Sequence, residues 1–276
     1  MWFNCGEDEV SIPNTLALSG NGRTELDELL AEKVNQRDVP GVVVEVADRE
    51  GTLYHGCFGK LDGRWSMDTP AEAIFRIASM TKPVTSVAVM MLKDQGLVDL
   101  DKTVTEYLPE FNGVEVIDEF DESDASYTTR PAAREITIRH LLSHTAGFGY
   151  DFSNHTLSKL RGRLPPNPLL LHDPGTRWTY GMSTRVLGMV IETVAKESLD
   201  VFFESRIFKP LGMSDTGFHL RPEDRLRLAS LFKRVNGDLV GAPNPESYEP
   251  RVSGDTGLLS TANDYSSFLR MLLGMG

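Results

Sequence analysis

The pattern of apolar and polar residues predicts a helix followed by a hairpin near the start of the chain. Leucine and valine recur at helical spacing over residues 26–34, and the pattern ends at a Pro-Gly pair, residues 40–41. Residues 42–62 hold a β-branched run and a second apolar run on either side of a Glu-Gly pair at residues 50–51. Two such runs around a turn predict a β-hairpin.

A second helix is predicted within FRIASMTKPVTSVAVMML, residues 75–92. Apolar side chains follow Val84 at i+3, i+4, i+7 and i+8, so one face is apolar, and Gly96 suits the end of the helix. Pro83 is compatible with the first turn, because the first four helical N–H groups have no intrahelical partner. The pattern therefore places Ser79 at or near the N-terminus of a buried helix.

The middle of the chain, residues 102–235, predicts helices and long loops with few strand-like alternations. EITIRHLLSHTAGFG predicts a short helix that is capped by Thr137 and ends at Gly147. The acidic run EVIDEFDESD, residues 115–124, is typical of a solvated loop. Two further helices are predicted in STRVLGMVIETVAKES and DVFFESRIFKPLGM.

The end of the chain returns to a hairpin turn, an Asn-Gly pair at residues 236–237, and to a last helix that Thr261 caps. This layout predicts an α/β (α+β) fold in two parts. Residues 1–105 and 236–276 would form an incomplete α/β base domain, and residues 106–235 a mostly helical domain.

Length and charge narrow the function classes. The chain has 276 residues, with 40 acidic against 28 basic side chains and a formal net charge of -12. An acidic surface repels phosphate backbones, so we expect no nucleic-acid partner. No apolar run reaches the length of a membrane span, and the first residues lack a secretory signal. We therefore expect a cytoplasmic protein without a membrane partner.

Ser79 and Lys82 are the first candidate chemical pair. Residues three apart share a helix face, so the hydroxyl and the amine can come within hydrogen-bond reach. A helix N-terminus also offers its dipole and a backbone N–H to a developing oxyanion. S-x-x-K occurs by chance in many chains, so the spacing alone leaves open a nucleophile with its base or two polar residues at a helix start.

Tyr180 is a second candidate, in HDPGTRWTYGMSTRVLG just before a predicted helix. A tyrosine in a cleft can shuttle a proton when neighbouring cations stabilise its phenolate. The alternative is a core tyrosine with a satisfied hydroxyl.

His140 and His144 have the i, i+4 spacing of a zinc motif. No glutamate lies between them as in H-E-x-x-H, and no third ligand is evident, so we expect a packed helix face and no metal. The sequence also lacks G-x-S-x-G, G-x-G-x-x-G and the P-loop motif, so it indicates neither an α/β-hydrolase nor a nucleotide cofactor.

Five segments occur in a fixed order: FRIASMTKPVTSVAVMMLKDQGLVDLDKTVTEYLPEF, ITIRHLLSHTAGFG, PGTRWTYGMSTRVLGMVIE, IFKPLGMSDTGF and GLLSTANDYSSFLRMLL. As a set they resemble the serine β-lactamase-like superfamily, in the branch of class C β-lactamases, family VIII carboxylesterases and related acyltransferases. The resemblance covers most of the chain from about Val42 onward. It implies a β-lactamase/penicillin-binding-protein-like fold, an antiparallel sheet flanked by helices plus a mostly helical domain.

The resemblance implies a role for each of three residues. Ser79 in S-M-T-K matches the acylated nucleophile of the family, and Lys82 matches the lysine that lowers its pKa and shares its proton. Tyr180 in YGM matches the tyrosine of the Y-x-N motif, the general base that later returns a proton to the leaving group. The implied mechanism is acyl transfer through an acyl-enzyme.

Met182 departs from this pattern, because β-lactamases usually carry asparagine at the third position of the tyrosine motif. An amide would hydrogen-bond the polar side chain of a lactam, whereas methionine offers only an apolar surface. This departure favours esters over β-lactams. We expect Met182, Trp178 and Phe148 to contact the substrate.

A second departure concerns the end of the chain. The resemblance implies roughly a hundred further residues beyond Gly276, near the size of a small domain. They would carry the third motif of the family, on a strand that supplies a second oxyanion donor, so we expect the C-terminal strands to be missing from this chain.

The sequence thus predicts a serine hydrolase that cleaves small acyl esters through an acyl-enzyme on Ser79, without metal or cofactor. Three alternatives stay open: an acyltransferase of the same superfamily, a weak β-lactamase, and a truncated, non-catalytic family member. The expected partner is a small-molecule ester, and the sequence does not predict an oligomeric state.

Overall fold

The computed structural model describes residues 19–165, 168–242, 244 and 248–276. These residues form two compact units. Unit 1 draws on residues 19–73, 227–242, 244 and 265–276, and unit 2 on residues 74–165, 168–226 and 248–264. The domain boundaries predicted from the sequence stay a prediction. The first residues, which informed the expected cytoplasmic location, lie outside the described residues.

The helices and strands follow in the order α1 (Gly20–Asn35), β1 (Gly41–Ala47), β2 (Thr52–Gly59), β3 (Phe75–Arg76), α2 (Thr81–Asp94), β4 (Glu115–Phe120), β5 (Tyr127–Pro131), α3 (Ile138–Leu142), α4 (His155–Lys159), α5 (Ser183–Ala195), α6 (Leu199–Phe203), α7 (Lys209–Leu211), β6 (Leu231–Val235), β7 (Asp238–Ala242), β8 (Leu259–Ser260) and α8 (Ala262–Leu273). Short 3₁₀ helices occupy Ala78–Met80, Val104–Glu106, Pro109–Phe111 and Pro222–Arg227, and a π-helix joins α6 to α7 at Glu204–Phe208.

Unit 1 contains the predicted first helix and hairpin. Ser19 caps α1 by accepting a hydrogen bond from the Gly22 N–H at 3.1 Å. Strands β1 and β2 pair antiparallel, and the Tyr54 hydroxyl of β2 donates to the Asp27 carboxylate of α1 at 2.6 Å. This contact ties the helix to the hairpin, so the predicted helix–hairpin pair is confirmed.

The Asn-Gly turn predicted near the end of the chain is also confirmed in unit 1. Asn236 and Gly237 have φ values of 52° and 95° and join the antiparallel strands β6 and β7. Positive φ at both central residues matches the right-handed twist of a two-residue hairpin, and Asn-Gly tolerates it with least strain.

The core of unit 2 forms where α2 and α5 pack against each other. Val84 and Ala88 of α2 are fully buried, as are Val190 and Ile191 of α5. These positions belong to apolar stripes of the two sequences, so burial of that surface drives the pairing. Helices α3 and α6 pack on α5 in turn, and the short strands β3 and β8 pair antiparallel.

The acidic run 115–124 is not simply a solvated loop, as the sequence analysis expected. Glu115–Phe120 forms strand β4, which pairs antiparallel with β5. Val116 on this strand is 1% exposed, while the acidic side chains beside it face outward. The sequence analysis missed this strand because its exposed side chains are acidic. An antiparallel strand with one buried face needs only alternate residues to be apolar.

The helix at residues 138–142 is shorter than predicted. Thr137 caps it as expected, since its hydroxyl accepts from the His140 N–H and the His140 ring accepts from the Thr137 N–H. The helix ends at Leu142, and Gly147, with φ of 97°, lies in the following loop. The left-handed backbone of His144, with φ of 55°, is incompatible with a longer helix.

Within the part of the chain that the structure describes, no helix is both long and apolar enough to cross a bilayer. The same residues contain no group of three or more His, Cys, Asp or Glu side chains placed to hold a metal ion.

Candidate active site

Ser79 lies where the chain turns from β3 into α2. Ala78 has a φ of 46°, a left-handed conformation that is uncommon for a residue with a Cβ. Ser79 follows in the 3₁₀ turn Ala78–Met80, which leads directly into α2 at Thr81. The turn leaves Ser79 exposed at the start of a buried helix, so its predicted position near a helix N-terminus is confirmed.

Lys82 lies one turn further along and is 8% exposed. Its Nζ donates a hydrogen bond to Ser79 Oγ at 3.1 Å and a second one to the backbone carbonyl of Asp255 at 2.8 Å. An unpaired ammonium group would be costly at this depth, and these two contacts offset that cost. The S-x-x-K spacing therefore brings the amine and the hydroxyl into hydrogen-bond contact, as the shared helix face predicts.

Tyr180 reaches the same serine from the loop before α5, and its hydroxyl donates to Ser79 Oγ at 2.7 Å. Two backbone contacts fix this loop. The Thr179 N–H donates to the His144 carbonyl at 2.8 Å, and Gly181 is so close to the Phe148 carbonyl that a Cβ there would overlap it. Lys82 and Tyr180 therefore converge on one hydroxyl.

Two tyrosine rings flank the ammonium group of Lys82. Its Nζ lies 4.9 Å from the ring centroid of Tyr180 and 5.6 Å from that of Tyr150. Burial acts to raise the pKa of Tyr180, but the interactions with Lys82 and Ser79 outweigh it and lower that pKa. Burial raises the pKa of Tyr150, as do its hydrogen bond to Asp255 and the charge on that carboxylate. The environment therefore shifts the pKa values of the two tyrosines in opposite directions, down at Tyr180 and up at Tyr150.

Asp255 is the centre of a buried polar network that the sequence analysis missed. Its carboxylate is 2% exposed and accepts from Ser253 Oγ at 2.6 Å, Tyr150 OH at 2.7 Å and Arg185 Nη2 at 3.0 Å. Burial acts to raise the pKa of Asp255, but these three donors lower it. The one signal in the sequence is an acid within SGDTGLLS, between glycines and ahead of an apolar run.

The imidazole ring of His144 packs against the ring of Tyr180. Its ring centroid lies 5.4 Å from that of Tyr180 and 6.2 Å from that of Trp178. Burial and the charge on Lys82 lower the pKa of His144, which keeps its imidazole neutral at physiological pH. His140 instead completes the capping box of α3 with Thr137, so the two histidines serve different structural roles.

A cavity of about 650 Å³ opens over Ser79 and Lys82. Met182 lies in its wall, where the sequence analysis expected a substrate contact. Trp178 is 64% exposed and stacks on Tyr180, outside this wall. The side chain of Phe148 is 1% exposed and packs edge to face on Phe111, so it lies in the core and offers no surface to a substrate.

Other residues line this cavity that the sequence analysis did not predict. Most of them fall into two chemical groups. The charged and polar ones are Tyr150, Asp151, Arg161, Arg185, Arg251 and Asp255. The apolar ones are Phe152, Leu157, Leu164, Pro165, Pro168 and Leu169. All of them belong to unit 2, as do Ser79, Lys82 and Tyr180.

Comparison with known proteins gives relatives in bacteria and fungi. Protein Rv1367c of Mycobacterium tuberculosis is 36% identical over 256 residues, which are 86% of this chain and 63% of that protein. Monacolin J acid methylbutanoyltransferase of Aspergillus terreus is 30% identical over 77% of this chain and 56% of its own length. Lovastatin esterase of Penicillium rubens is 29% identical over 90% of this chain and 68% of its own length.

Comparison with solved structures gives proteins of the same kind as the sequence comparison. Unliganded simvastatin synthase from Aspergillus terreus superimposes with a TM-score of 0.80 at 28% identity, over 91% of this chain and 68% of that one. The present chain spans just under two thirds of the length of the first relatives. The family model described as Beta-lactamase matches residues 26–276. The chain therefore belongs to the beta-lactamase family, with the β-lactamase/penicillin-binding-protein fold of a superfamily of serine hydrolases and acyltransferases.

Proposed function

We propose that this protein cleaves small acyl esters through a covalent acyl-enzyme on Ser79. One observation carries the proposal: Tyr180 OH and Lys82 Nζ lie 2.7 Å and 3.1 Å from the same Ser79 Oγ. A serine hydroxyl becomes a nucleophile only when a nearby base accepts its proton, and these contacts supply both a base and a cation that stabilises it.

In the first half-reaction, the Tyr180 phenolate accepts the proton of Ser79 while Oγ attacks the ester carbonyl carbon. The carbon–oxygen bond to the alcohol then breaks, and Tyr180 returns the proton to the departing alkoxide. The products of this half are a free alcohol and an ester of Ser79. The charge on Lys82 stabilises the phenolate, and the N-terminus of α2 stabilises the oxyanion.

In the second half-reaction, water attacks the acyl carbon and Tyr180 accepts the proton of that water. Ser79 Oγ leaves and regains a proton from Tyr180, which releases the carboxylic acid. The same groups act in both halves, so no further base is required. The second oxyanion donor, which the resemblance places beyond Gly276, stays a prediction.

Acyl transfer is the second candidate function, with an alcohol in place of water in the second half-reaction. The relatives support both outcomes, since one is named an esterase and another a methylbutanoyltransferase. The cavity of about 650 Å³ has room for a small organic acceptor. We propose hydrolysis first, because it needs no second organic substrate.

A fluorophosphonate probe tests the proposal directly. Intact mass spectrometry should show one adduct on the chain and none on Ser79→Ala, with Ser86→Ala, a serine of the same helix, as the matched control that keeps the adduct. p-Nitrophenyl butyrate should then release nitrophenol faster with the chain than with Ser79→Ala. A chain without an adduct would support the non-catalytic alternative, and an adduct retained by Ser79→Ala would place the nucleophile elsewhere.

A further inference from the structure

The wall of the cavity over Ser79 has a charge opposite to that of the whole chain. Four cationic side chains line it, Lys82, Arg161, Arg185 and Arg251, against two anionic ones, Asp151 and Asp255. The wall thus has two positive charges in excess, while the chain has a formal net charge of -12. A cleft lined by one sign of charge raises the local concentration of ligands of the opposite sign.

Two of the arginines are matched by the two carboxylates of the wall. Arg161 Nε donates to Asp151 Oδ2 at 2.8 Å, and Arg185 Nη2 donates to Asp255 Oδ2 at 3.0 Å. Lys82 is engaged by Ser79 and by a backbone carbonyl, in the chemistry already described. The excess positive charge available to a ligand therefore lies elsewhere in the wall.

Arg251 supplies that charge. Its side chain is exposed, and among the described residues no carboxylate or carbonyl pairs with its guanidinium group. Its backbone packs closely against Gly257, which has a φ of 110°, and a Cβ at this glycine would overlap the Arg251 carbonyl. Ser253 and Thr256 bridge the turn between them. A guanidinium group without a partner among the described residues is suited to binding a carboxylate in two parallel hydrogen bonds.

Much of the remaining wall is apolar. Leu157, Leu164 and Leu169 line it, together with Phe152, whose ring stacks on Tyr150 at a centroid distance of 4.8 Å. Phe152 is 71% exposed, a large apolar surface left open beside the nucleophile. A ligand that fits this cavity therefore combines an apolar chain with an anionic end.

We propose that the substrates of this cavity carry a carboxylate remote from the reacting carbonyl, and that Arg251 binds it. The inference rests on the proposed function and names its substrate class, monoesters of dicarboxylic acids. The reacting carbonyl lies at Ser79 Oγ, the apolar chain lies along the leucines and Phe152, and the carboxylate pairs with the guanidinium group.

Binding tests the inference without requiring turnover. In a Ser79→Ala background, titration calorimetry compares the monoanilides of adipic and suberic acid with hexananilide and octananilide, neutral ligands of the same carbon number. The anionic member of each pair should bind about five- to tenfold more tightly, as expected for one charge-assisted pair that is partly exposed. Raising the salt concentration should reduce this preference, because exposed charges are screened.

Arg251→Ala should remove most of that preference, and Arg251→Lys should keep part of it, since lysine retains the charge but not the planar fork. Arg206→Ala is the matched control, an exposed arginine outside the cavity wall, and should keep the preference. Thermal melting identifies any variant that fails to fold, in which case Arg251→Gln replaces Arg251→Ala. Equal binding of anionic and neutral anilides, or a preference unchanged in both Arg251 variants, would overturn the inference.

Turnover separates this inference from the function on which it rests. Mono-p-nitrophenyl adipate and p-nitrophenyl hexanoate differ only in the terminal carboxylate. Hydrolysis of both at equal kcat/KM would leave the esterase proposal standing and contradict a carboxylate site. Anilide binding with the expected preference but no hydrolysis of either ester would contradict the esterase proposal alone.

Discussion

Tyr150 and Tyr180 meet edge to face with ring centroids 5.6 Å apart, yet their hydroxyls have different partners. Tyr180 OH donates to Ser79 Oγ, and Tyr150 OH donates to the Asp255 carboxylate. One phenol is thus placed to exchange a proton with the nucleophile, and the other is committed to a buried acceptor. The two side chains are chemically identical, so this difference in partners is the reason to propose Tyr180, and not Tyr150, as the general base.

Tyr180→Phe should lower ester turnover by about a hundredfold or more, because it removes the group that accepts the serine proton. Tyr150→Phe keeps the ring beside Lys82 and removes only the hydroxyl bound to Asp255, so we expect a loss of about tenfold or less. Steady-state hydrolysis of p-nitrophenyl butyrate measures both, with circular dichroism as the check on folding. A larger loss in Tyr150→Phe would reverse the assignment.

The hydroxyls of Tyr150 and Tyr180 should lose their protons at different pH values in a direct titration. Tyr180 has a lowered pKa, so it should become phenolate below the ordinary value of about 10, while Tyr150, with its raised pKa, should still be protonated there. NMR of the chain labelled with ¹³Cζ-tyrosine follows each of the seven tyrosines.

Lys82→Gln should move the Tyr180 transition to higher pH, because it removes the cation that stabilises the phenolate. Lys93→Gln, at the exposed end of the same helix, is the control and should leave that transition in place. The rising limb of kcat/KM against pH should follow the Tyr180 transition in the unmodified chain. Coincident transitions for Tyr150 and Tyr180 would contradict the assignment.

Asp255→Asn should destabilise the protein at neutral pH by about 2–4 kcal/mol, because it leaves Arg185 without its buried counter-charge. A lowered folded-state pKa means that the carboxylate stabilises the fold above its unfolded value of about 3.9, and that this contribution is lost as pH falls through the folded value. The difference between the two chains should therefore shrink on acidification below about pH 4.

Urea unfolding over a range of pH measures this difference. Asp151→Asn is the matched control, since it removes the other carboxylate of the cavity wall from an exposed pair with Arg161. That variant should change the free energy of unfolding by about 1 kcal/mol or less. Equal destabilisation by the two substitutions would show that burial of Asp255 contributes nothing.

Gly181→Ala should lower both stability and turnover. Its Cβ would overlap the Phe148 carbonyl oxygen, so the loop that holds Tyr180 must shift, at about 1–3 kcal/mol. Gly217→Ala is the control, because a Cβ there meets no atom within 4 Å and needs no unusual backbone angle. Gly181→Ala should have both a lower melting temperature and a lower ester turnover than Gly217→Ala. Normal turnover in Gly181→Ala would contradict a role for this loop in positioning Tyr180.

The sequence predicted helix positions from local features. The stripe after Val84 and the hydroxyl of Thr137 are local features, so each appears correctly in the structure. Strand β4 was missed because its exposed face is acidic, and the early end of α3 was missed because the left-handed backbone of His144 has no clear sequence signal. Backbone angles of this kind depend on contacts far along the chain.

The candidate site also combines features that the local sequence predicts with contacts that it does not predict. The spacing of Ser79 and Lys82 is local, and the hydrogen bond between them was predicted from it. The contacts of Asp255 with Lys82 and Tyr150 span 173 and 105 residues, so no local pattern reveals them. Phe148 was expected to contact the substrate, whereas tertiary packing buries its ring and places its carbonyl oxygen against Gly181 in the loop of Tyr180.

Met182 in the cavity wall should set a preference for esters over β-lactams. Methionine offers an apolar thioether where an asparagine amide would hydrogen-bond the side chain of a lactam. Nitrocefin should therefore be hydrolysed much more slowly than p-nitrophenyl butyrate. Met182→Asn should raise the ratio of the nitrocefin rate to the butyrate rate. Met182→Leu, which preserves an apolar side chain of similar volume, should leave that ratio unchanged. A rapid nitrocefin rate in the unmodified chain would show that this position does not select the substrate.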